Sequence, residues 1–255
     1  GSEWPLYHNT VSPSSAIRLH YQGKATRLAV RCRFRPLPPA PLPFGFQQPI
    51  IPALPYDSIY YINPASDSLL RFPKKGFYFI QSDTATREGQ LVCCMHNGYP
   101  EITESDALAA PLHYLTTGEE YTKIMQAADR KAAVDAFWLE RCGSEERARE
   151  VIKRFYKRVE NANRNFTTHT EGWKTDRGML YIIFGPPIGV YHSDDTETWI
   201  YGDNNSPMAV NFLFSHERNN PYSDNDYSLN RNINYRILWM HAVDEWRNGR
   251  AYYER

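Results

Sequence analysis

The sequence predicts an α+β protein: a β-rich, sandwich-like N-terminal module followed by a helical region packed on a small antiparallel sheet. Short β-branched and aromatic runs separated by turn residues fill residues 1–102. Helical periodicity follows to about residue 168, and strand patterns return after it. Because 255 residues suffice for one large domain or two small ones, we interpret 1–102 and 103–255 as two domains.

The N-terminal module is expected to contain several short strands around a proline-rich loop. The predicted strands are AIRLHYQ, TRLAVRCRF, SIYYIN, GFYFIQSD and QLVCCMH. Residues 36–55 hold eight prolines in 20 residues, a density that forbids a helix and most ladder pairing. We interpret this loop as an extended spacer with polyproline II character, and a strand that docks in a partner's groove is the alternative.

Residues 104–168 are predicted to form helices. Thr117 and Glu120 have the spacing of a capping box. The apolar positions that follow, from Tyr121 to Trp138, recur at three- and four-residue steps. A further helix should begin at Ser144, where two glutamates favour the positive end of the helix dipole.

The C-terminal part is predicted to form a meander and a last helix. MLYIIF, ETWIY and MAVNFLF are interpreted as three strands within residues 178–215. A long polar, Asn-rich loop covers residues 217–234. The final helix should span residues 235–248, capped by Asn234 and closed by Gly249.

Charge and cysteine usage exclude several classes of protein. With 29 basic and 29 acidic side chains, no net field draws the chain to nucleic acid or anionic lipid, and no apolar run reaches the ~20 residues of a membrane span. The opening Gly-Ser is typical of an expression vector, so a signal peptide or lipid anchor could have been removed. The four cysteines are expected to be free thiols, with one of Cys93 and Cys94 buried and the other exposed.

The charged, glycine-flanked segment EGWKTDRG, residues 171–178, is the strongest site candidate. In a catalytic interpretation Asp176 is a general base and Arg177 an anion clamp, assisted by His169 and Glu171. In the structural interpretation, which we favour, Asp176 accepts backbone amides of the turn and Arg177 pairs with a helix carboxylate. Thr175 would then cap the turn and Trp173 would fill the helical layer.

A ligand-binding use of the same segment is a third interpretation. Trp173, Tyr181 and Trp199 would form a stacking platform for a glycan or peptide, with Asp176 and Arg177 beside it. No HxH or HxxxH spacing, P-loop, nucleophile elbow or dinucleotide fingerprint occurs. We therefore expect neither a metal nor a cofactor.

GWKTDRG followed by YIIFGPP resembles the signature of the GWxTD domain family, bacterial proteins of largely uncharacterised function, mostly from Bacteroidota. APLHYLTTGEEY, FWLER, FYKRVENANRNF, ETWIY and DEWRNGR resemble further motifs of that family over residues 100–250. Cys142-Gly143 and Ile188 stand where the family often has Asp-Pro and Asp. The signature positions implied by the resemblance are Gly172, Trp173, Thr175, Asp176, Arg177, Gly178, Tyr181, Gly185, Pro186, Trp199 and Tyr201.

The resemblance implies an envelope-associated protein, periplasmic or bound to the outer membrane, and no established reaction. A weaker similarity, GPP followed by a Trp-x-Tyr strand, is to small outer-membrane assembly lipoproteins. We therefore expect a non-enzymatic protein that binds other envelope proteins, with the proline-rich segment, the Asn-rich loop and the 18 tyrosines as contact surface. A hydrolase of peptide or glycan that uses Asp176, His169 and Glu171 is the alternative, as is the glycan- or peptide-binding module.

Overall fold

The computed structural model describes residues 8–46, 55–67, 69–202, 209–218 and 220–252. Within them lie six α-helices and three β-sheets, which confirms the predicted α+β class. The chain divides into two units. The first comprises Gly1–Leu37, Ile51–Tyr99 and Asn219–Asp224, and the second comprises Pro38–Ile50, Pro100–Arg218 and Asn225–Arg255.

The first unit is built from two sheets. Its strands, in chain order, are β1 (Thr10–Val11), β2 (Ala16–Arg18), β3 (Leu28–Arg33), β4 (Ser58–Ile62), β5 (Leu69–Arg71), β6 (Gly76–Gln81) and β7 (Gln90–Cys94). A five-stranded sheet has the order β1-β7-β6-β3-β4, antiparallel except for the parallel β1–β7 pair, and β2 and β5 form a two-stranded sheet.

Both faces of the five-stranded sheet are covered in its middle. Leu28, Val30 and Cys94 share one apolar core with residues of β5 and the chain after it, whereas Cys93 belongs to a second cluster on the other face. Cys93 and Cys94 are therefore both buried, so the prediction that one of them is exposed was wrong. A strand covered on two sides hides both of its side-chain rows.

The second unit carries the helices. They are α1 (Ser105–Ala109), α2 (Gly118–Gln126), α3 (Arg130–Cys142), α4 (Glu145–Phe166), α5 (Asp176–Phe184) and α6 (Tyr235–Arg247). Short 3-10 helices cover Ala110–Tyr114 and Gly172–Lys174. The capping box of Thr117 and Glu120 is present, and the hydroxyl of Ser144 caps α4 by accepting the amide of Arg147.

Two helix predictions need correction. The periodic stretch from Tyr121 to Trp138 is interrupted after Gln126, and α3 begins anew behind an Asp129 cap whose carboxylate accepts the amide of Ala132 at 2.9 Å. Asn234 precedes α6 but contributes no side-chain capping bond. Gly249 follows that helix with φ +67°, a conformation that suits glycine.

MLYIIF was predicted to be a strand but lies within α5. The antiparallel sheet of the second unit has the order β11-β10-β9-β8, with β8 (Gly189–His192), β9 (Thr196–Tyr201), β10 (Val210–His216) and β11 (Tyr227–Leu229). The predicted meander is thus correct only from residue 189 onward. Its last strand arises inside the segment 217–234, which was predicted to be loop.

The apolar core of the second unit lies between the helices and one face of this sheet. Trp199, Tyr201, Phe212 and Phe214 alternate inward along β9 and β10 and join the side chains of α3 to α6. Among the described residues no helix is long and apolar enough to cross a membrane.

Part of the proline-rich segment belongs to this second unit. The amide of Ala40 donates to the carbonyl of Lys174 at 2.8 Å, and the carbonyl of Pro43 accepts the amide of Asn232 at 3.1 Å. Leu42 and Phe44 pack against the helical core. Residues 38–46 therefore form a packed strap and not the free spacer that was predicted, while 47–54 lie outside the described residues.

Candidate functional site

The GWKTDRG segment forms the corner between α4 and α5. Thr175 precedes α5 and caps it: its hydroxyl accepts the amide of Gly178 at 3.0 Å and donates to the carbonyl of Gly172 at 2.8 Å. Thr175 was predicted to cap a turn, and it caps the helix that follows the turn. The cap fixes where α5 begins, so Asp176 and Arg177 occupy its first turn.

Two glycines let three backbone segments approach each other. A Cβ on Gly172 would overlap the carbonyl of Ala162 in α4, and a Cβ on Gly178 would overlap the carbonyl of Gly172. Neither glycine has a positive φ, so backbone proximity explains them, not a left-handed conformation. A larger residue at either position would push the corner away from α4.

The last turn of α4 binds the amides of the corner. The side-chain oxygen of Asn163 accepts the amide of Trp173 at 3.1 Å, and the hydroxyl of Thr167 accepts that of Gly172 at 3.1 Å. The carbonyl of Trp173 accepts the hydroxyl of Tyr114 at 3.2 Å. Three hydrogen bonds of this corner therefore come from residues that precede it in the chain.

Asp176 reaches forward to β11. Its carboxylate accepts the amide of Leu229 at 2.7 Å and pairs through both oxygens with the guanidinium of Arg231. Burial raises the pKa of Asp176, and Arg231 and the Leu229 amide oppose that rise. Arg231 also donates to the carbonyl of Pro41 in the strap at 3.1 Å. Asp176 was predicted to bond amides of its own turn, and the observed partners are instead 53 and 55 residues away.

Arg177 reaches across to β9. Its guanidinium lies 3.5 Å from the carboxylate of Glu197, donates to Asn225 at 2.5 and 2.8 Å, and stacks on the ring of Tyr227 at 4.5 Å. Burial lowers the pKa of Arg177, and Glu197 opposes that shift. The predicted pair with a helix carboxylate was wrong in its partner, because the carboxylate belongs to a strand.

Glu197 joins this buried pair to the surface. Oε2 of Glu197, which faces Arg177, also lies 3.3 Å from Nδ1 of His192, an exposed residue of β8. Oε1 of Glu197 accepts the indole N–H of Trp199 at 2.6 Å. Sequence reasoning missed Glu197, although the alternation of TETWIY places it on the inward face with Trp199. Asn163 lies in the motif FYKRVENANRNF but was not predicted as a site residue, and Arg231 gave no sequence signal because its partner Asp176 is 55 residues away.

The proposed stacking platform has little exposed ring surface. Trp173 and Trp199 are 7% and 3% exposed, and Tyr181 is half-buried with its ring against Phe166. A glycan needs an accessible ring face, and the two indoles offer none. The geometry therefore contradicts a platform of Trp173, Tyr181 and Trp199.

The end of α5 is held as firmly as its start. Gly185 has φ +85°, and its carbonyl accepts the hydroxyl of Tyr201 at 2.8 Å before Pro186 continues the chain. The guanidinium of Arg158, from α4, donates to the carbonyls of Ile182 and Ile183 at 3.3 and 3.1 Å. These donors satisfy carbonyls that a helix end leaves without partners.

The residues of the hydrolase hypothesis have separate partners. His169 lies 3.8 Å from the carboxylate of Asp226, Glu171 pairs with Lys174 at 2.8 Å, and Asp176 pairs with Arg231. A general base must lie within hydrogen-bonding reach of the group it activates, and the ion-pair partners of these three residues are three different groups. No group of three metal-ligating side chains occurs within the part of the chain that the structure describes.

Three other motifs meet in one ion cluster at α2. Glu120 accepts both terminal nitrogens of Arg247 at 2.8 and 2.9 Å, and it also pairs with Arg141. Arg247 and the Thr117 amide lower the pKa of Glu120 to about 2. GEEY, FWLER and DEWRNGR thus each supply one member of this cluster, which ties α2, α3 and α6 together.

Comparison with known proteins gives one match. The model of the GWxTD domain family matches residues 76–248, which is more than half of the chain. The search with this chain found no matching curated protein and no matching solved structure.

Proposed function

Because the chain belongs to the GWxTD domain family, we propose that it is a non-enzymatic protein of the bacterial cell envelope that works by binding other proteins. Its role would lie in an outer-membrane or secretion-related assembly. The family resemblance supplies the cellular location in this proposal. The exposed side chains of the second unit support the protein-binding part of the proposal.

The signature residues are engaged inside the fold. Asp176 and Arg177, the two ionic groups of the motif, are bonded to β11, to the chain before it and to β9. Both side chains already bond to groups of the protein itself, and a substrate would have to displace those groups. This supports a structural use of the motif and directs attention to other surfaces.

The proposed contact surface is the outer face of the four-stranded sheet, which points away from the helices. Thr198 of β9 lies between Tyr191 of β8 and Leu213 of β10 in the register, so the three side chains share one row on the face away from the helices. Tyr191 is 66% and Leu213 37% exposed. Tyrosine and aliphatic side chains on an open sheet are typical of contact surfaces between proteins.

Cross-linking in native cells, followed by affinity purification and mass spectrometry, tests this proposal. The tagged chain is compared with the double variant Tyr191→Asp/Leu213→Asp. Leu139→Asp/Met240→Asp, which places the same charges at exposed apolar positions of α3 and α6, is the matched control. We expect one set of proteins to be recovered with the wild type and the control and lost with the sheet variant.

Two outcomes contradict the proposal. Recovery of the same proteins with both double variants shows that the sheet face is not the contact surface. If the wild type recovers nothing beyond an untagged strain, protein binding itself is refuted. Fractionation of the same cells tests location, and a cytoplasmic chain contradicts the envelope assignment.

A further inference from the structure

Strand β4 is an open edge of the five-stranded sheet in the first unit. It pairs with β3 on one side, and no strand among the described residues pairs with its other side. Ile59, Tyr60 and Tyr61 are 48%, 39% and 48% exposed. Since successive side chains alternate, the apolar surface of this edge extends onto both faces of the sheet.

Two features that usually prevent strand addition, a charge and a proline, are not found within β4. Its sequence, SIYYI, contains no charge and no proline. Natural edges are generally blunted by lysine, proline, a bulge or a covering element, because an open edge is a template for another strand. An extended peptide can use such an edge to form main-chain hydrogen bonds.

The charged side chains within the strands of this sheet are positive. The strands of the five-stranded sheet contain two charged residues, Arg31 and Arg33, and no carboxylate. Arg27, just before β3, is exposed and lies over the ring of Tyr61 at 3.7 Å. The carboxylate of Asp57, just before β4, is paired with Arg35 at 2.8 Å, and the carboxylate of Asp67, after β4, accepts the amide of Asn63 at 2.8 Å. Arginines therefore outnumber carboxylates around β4. The field at the edge therefore favours an acidic partner.

We propose that β4 binds an extended, acidic segment of a partner protein as an added strand. Its carboxylates would recur at every second position, on the face where Arg27 lies over Tyr61. β-Branched or aromatic residues would alternate with them, toward the face of Tyr60. This inference rests on the proposed function, protein binding, and adds the chemistry of one partner and a second surface.

The geometry of strand addition explains the alternation. An added strand lies about 4.8 Å from β4, so every second side chain stands beside Ile59 and Tyr61. The guanidinium above the Tyr61 ring is within reach of a carboxylate at those positions. Arg31, one strand further in, already donates to the carbonyl of Thr84 and contributes charge but no direct contact.

Titration of the intact protein with a synthetic nine-residue peptide that alternates glutamate with valine and tyrosine tests the proposal. We expect saturable binding that weakens as salt is raised, together with slower amide hydrogen exchange in β4. A peptide with lysine in place of glutamate, and one with central N-methylated amides, should not bind.

Charge reversal at Arg27 identifies the contact. Arg27→Glu should weaken binding of the glutamate peptide roughly fivefold to tenfold, in line with the loss and reversal of one exposed pair. Arg71→Glu, which reverses an exposed charge on β5 of the same unit, is the matched control and should bind as the wild type does. Circular dichroism checks that both variants are folded.

Each remaining outcome overturns the inference. It fails if the glutamate peptide does not bind, if the lysine peptide binds equally well, or if Arg27→Glu and Arg71→Glu behave alike. If the glutamate peptide does not bind but native cross-linking recovers partners through the sheet of the second unit, the inference at β4 fails and the proposed function stands. If neither experiment detects binding, both fall.

Discussion

The carboxylate of Asp176 accepts the backbone amide of Leu229 at 2.7 Å, across 53 residues of chain. The next side chain, Arg177, pairs with Glu197 on β9. Two consecutive residues in the first turn of α5 thus fix that helix on two different strands of one sheet. The Thr-Asp-Arg sequence is therefore best understood as the joint between the helices and the sheet of the second unit.

Asp176→Asn tests this joint. The amide oxygen can still accept from Leu229, but the charge beside the buried guanidinium of Arg231 is lost. Leaving a buried charge without its partner typically costs about 3–5 kcal/mol, so we expect a loss of that order in the free energy of unfolding, measured in urea.

The double variant Asp176→Asn/Arg231→Met is the control for this prediction. Removing both charges should cost less than the two single substitutions together, because neither partner is left buried alone. A single variant as stable as the wild type would contradict the role assigned to Asp176.

Gly178→Ala tests the close backbone contact at the corner. Its Cβ would overlap the carbonyl of Gly172, so we expect a destabilisation of about 2–3 kcal/mol from overpacking. Gly118→Ala is the matched control, because a Cβ at the start of α2 meets nothing within 4 Å. That substitution should leave stability unchanged or raise it by up to about 1 kcal/mol. Equal effects in urea unfolding would show that the contact at Gly178 is not constraining.

The sequence predicted those features whose signals are local. The capping box of Thr117 and Glu120, the start of α4 at Ser144 and the cap by Thr175 each depend on side chains within three residues of the amide they bind. Alternation also located β9 and β10. These elements formed as predicted because their signals do not require knowledge of the tertiary structure.

The conformation of α5 could not be read from local pattern alone. Met179 to Phe184 is a continuous apolar run, and such a run fits a buried helix as well as a buried strand. In the structure it is covered by α4, α6 and the sheet, so nearly every side chain is buried and no amphipathic period exists. The Thr175 cap was the local signal for a helix.

The site partners were beyond sequence reasoning for a different reason. Arg231 and Asn225 lie in a polar segment that was predicted to be loop, and only the folded chain brings them to Asp176 and Arg177. A carboxylate next to an arginine in sequence gives no sign of which distant group it pairs with. Long-range ion pairs of this kind are set by packing.

Glu120 should make stability depend on pH. Its pKa is lowered in the folded protein to about 2, from an ordinary value near 4.5. The stabilisation by its ionised form is therefore complete above the unfolded pKa and is lost as pH falls toward 2. Because Glu120 is partly exposed, solvent screening reduces this contribution to roughly 1 kcal/mol.

Urea unfolding of the wild type and of Glu120→Gln at several pH values measures this contribution. The difference in unfolding free energy should be largest near pH 6 and shrink toward pH 2. Glu119→Gln removes a charge from the same turn without touching the pair with Arg247, and it is the matched control. A Glu120→Gln difference that stays constant between pH 6 and pH 2 would contradict the assignment.

Arg158→Lys tests how α5 ends. Arg158 uses the two arms of its guanidinium for three carbonyls: those of Ile182 and Ile183, and that of Tyr252 at 2.8 Å. A lysine ammonium keeps the charge but lacks the planar fork, so we expect a loss of about 2 kcal/mol in unfolding free energy. Arg154→Lys, at an exposed position one turn earlier in α4, should change stability by less than about 0.5 kcal/mol.

Because the carbonyl of Tyr252 loses the hydrogen bond from Arg158, amide exchange should also accelerate around residues 250–252 in the Arg158 variant alone. Equal stability of the two lysine variants would show that the fork is dispensable and that charge alone stabilises the end of α5.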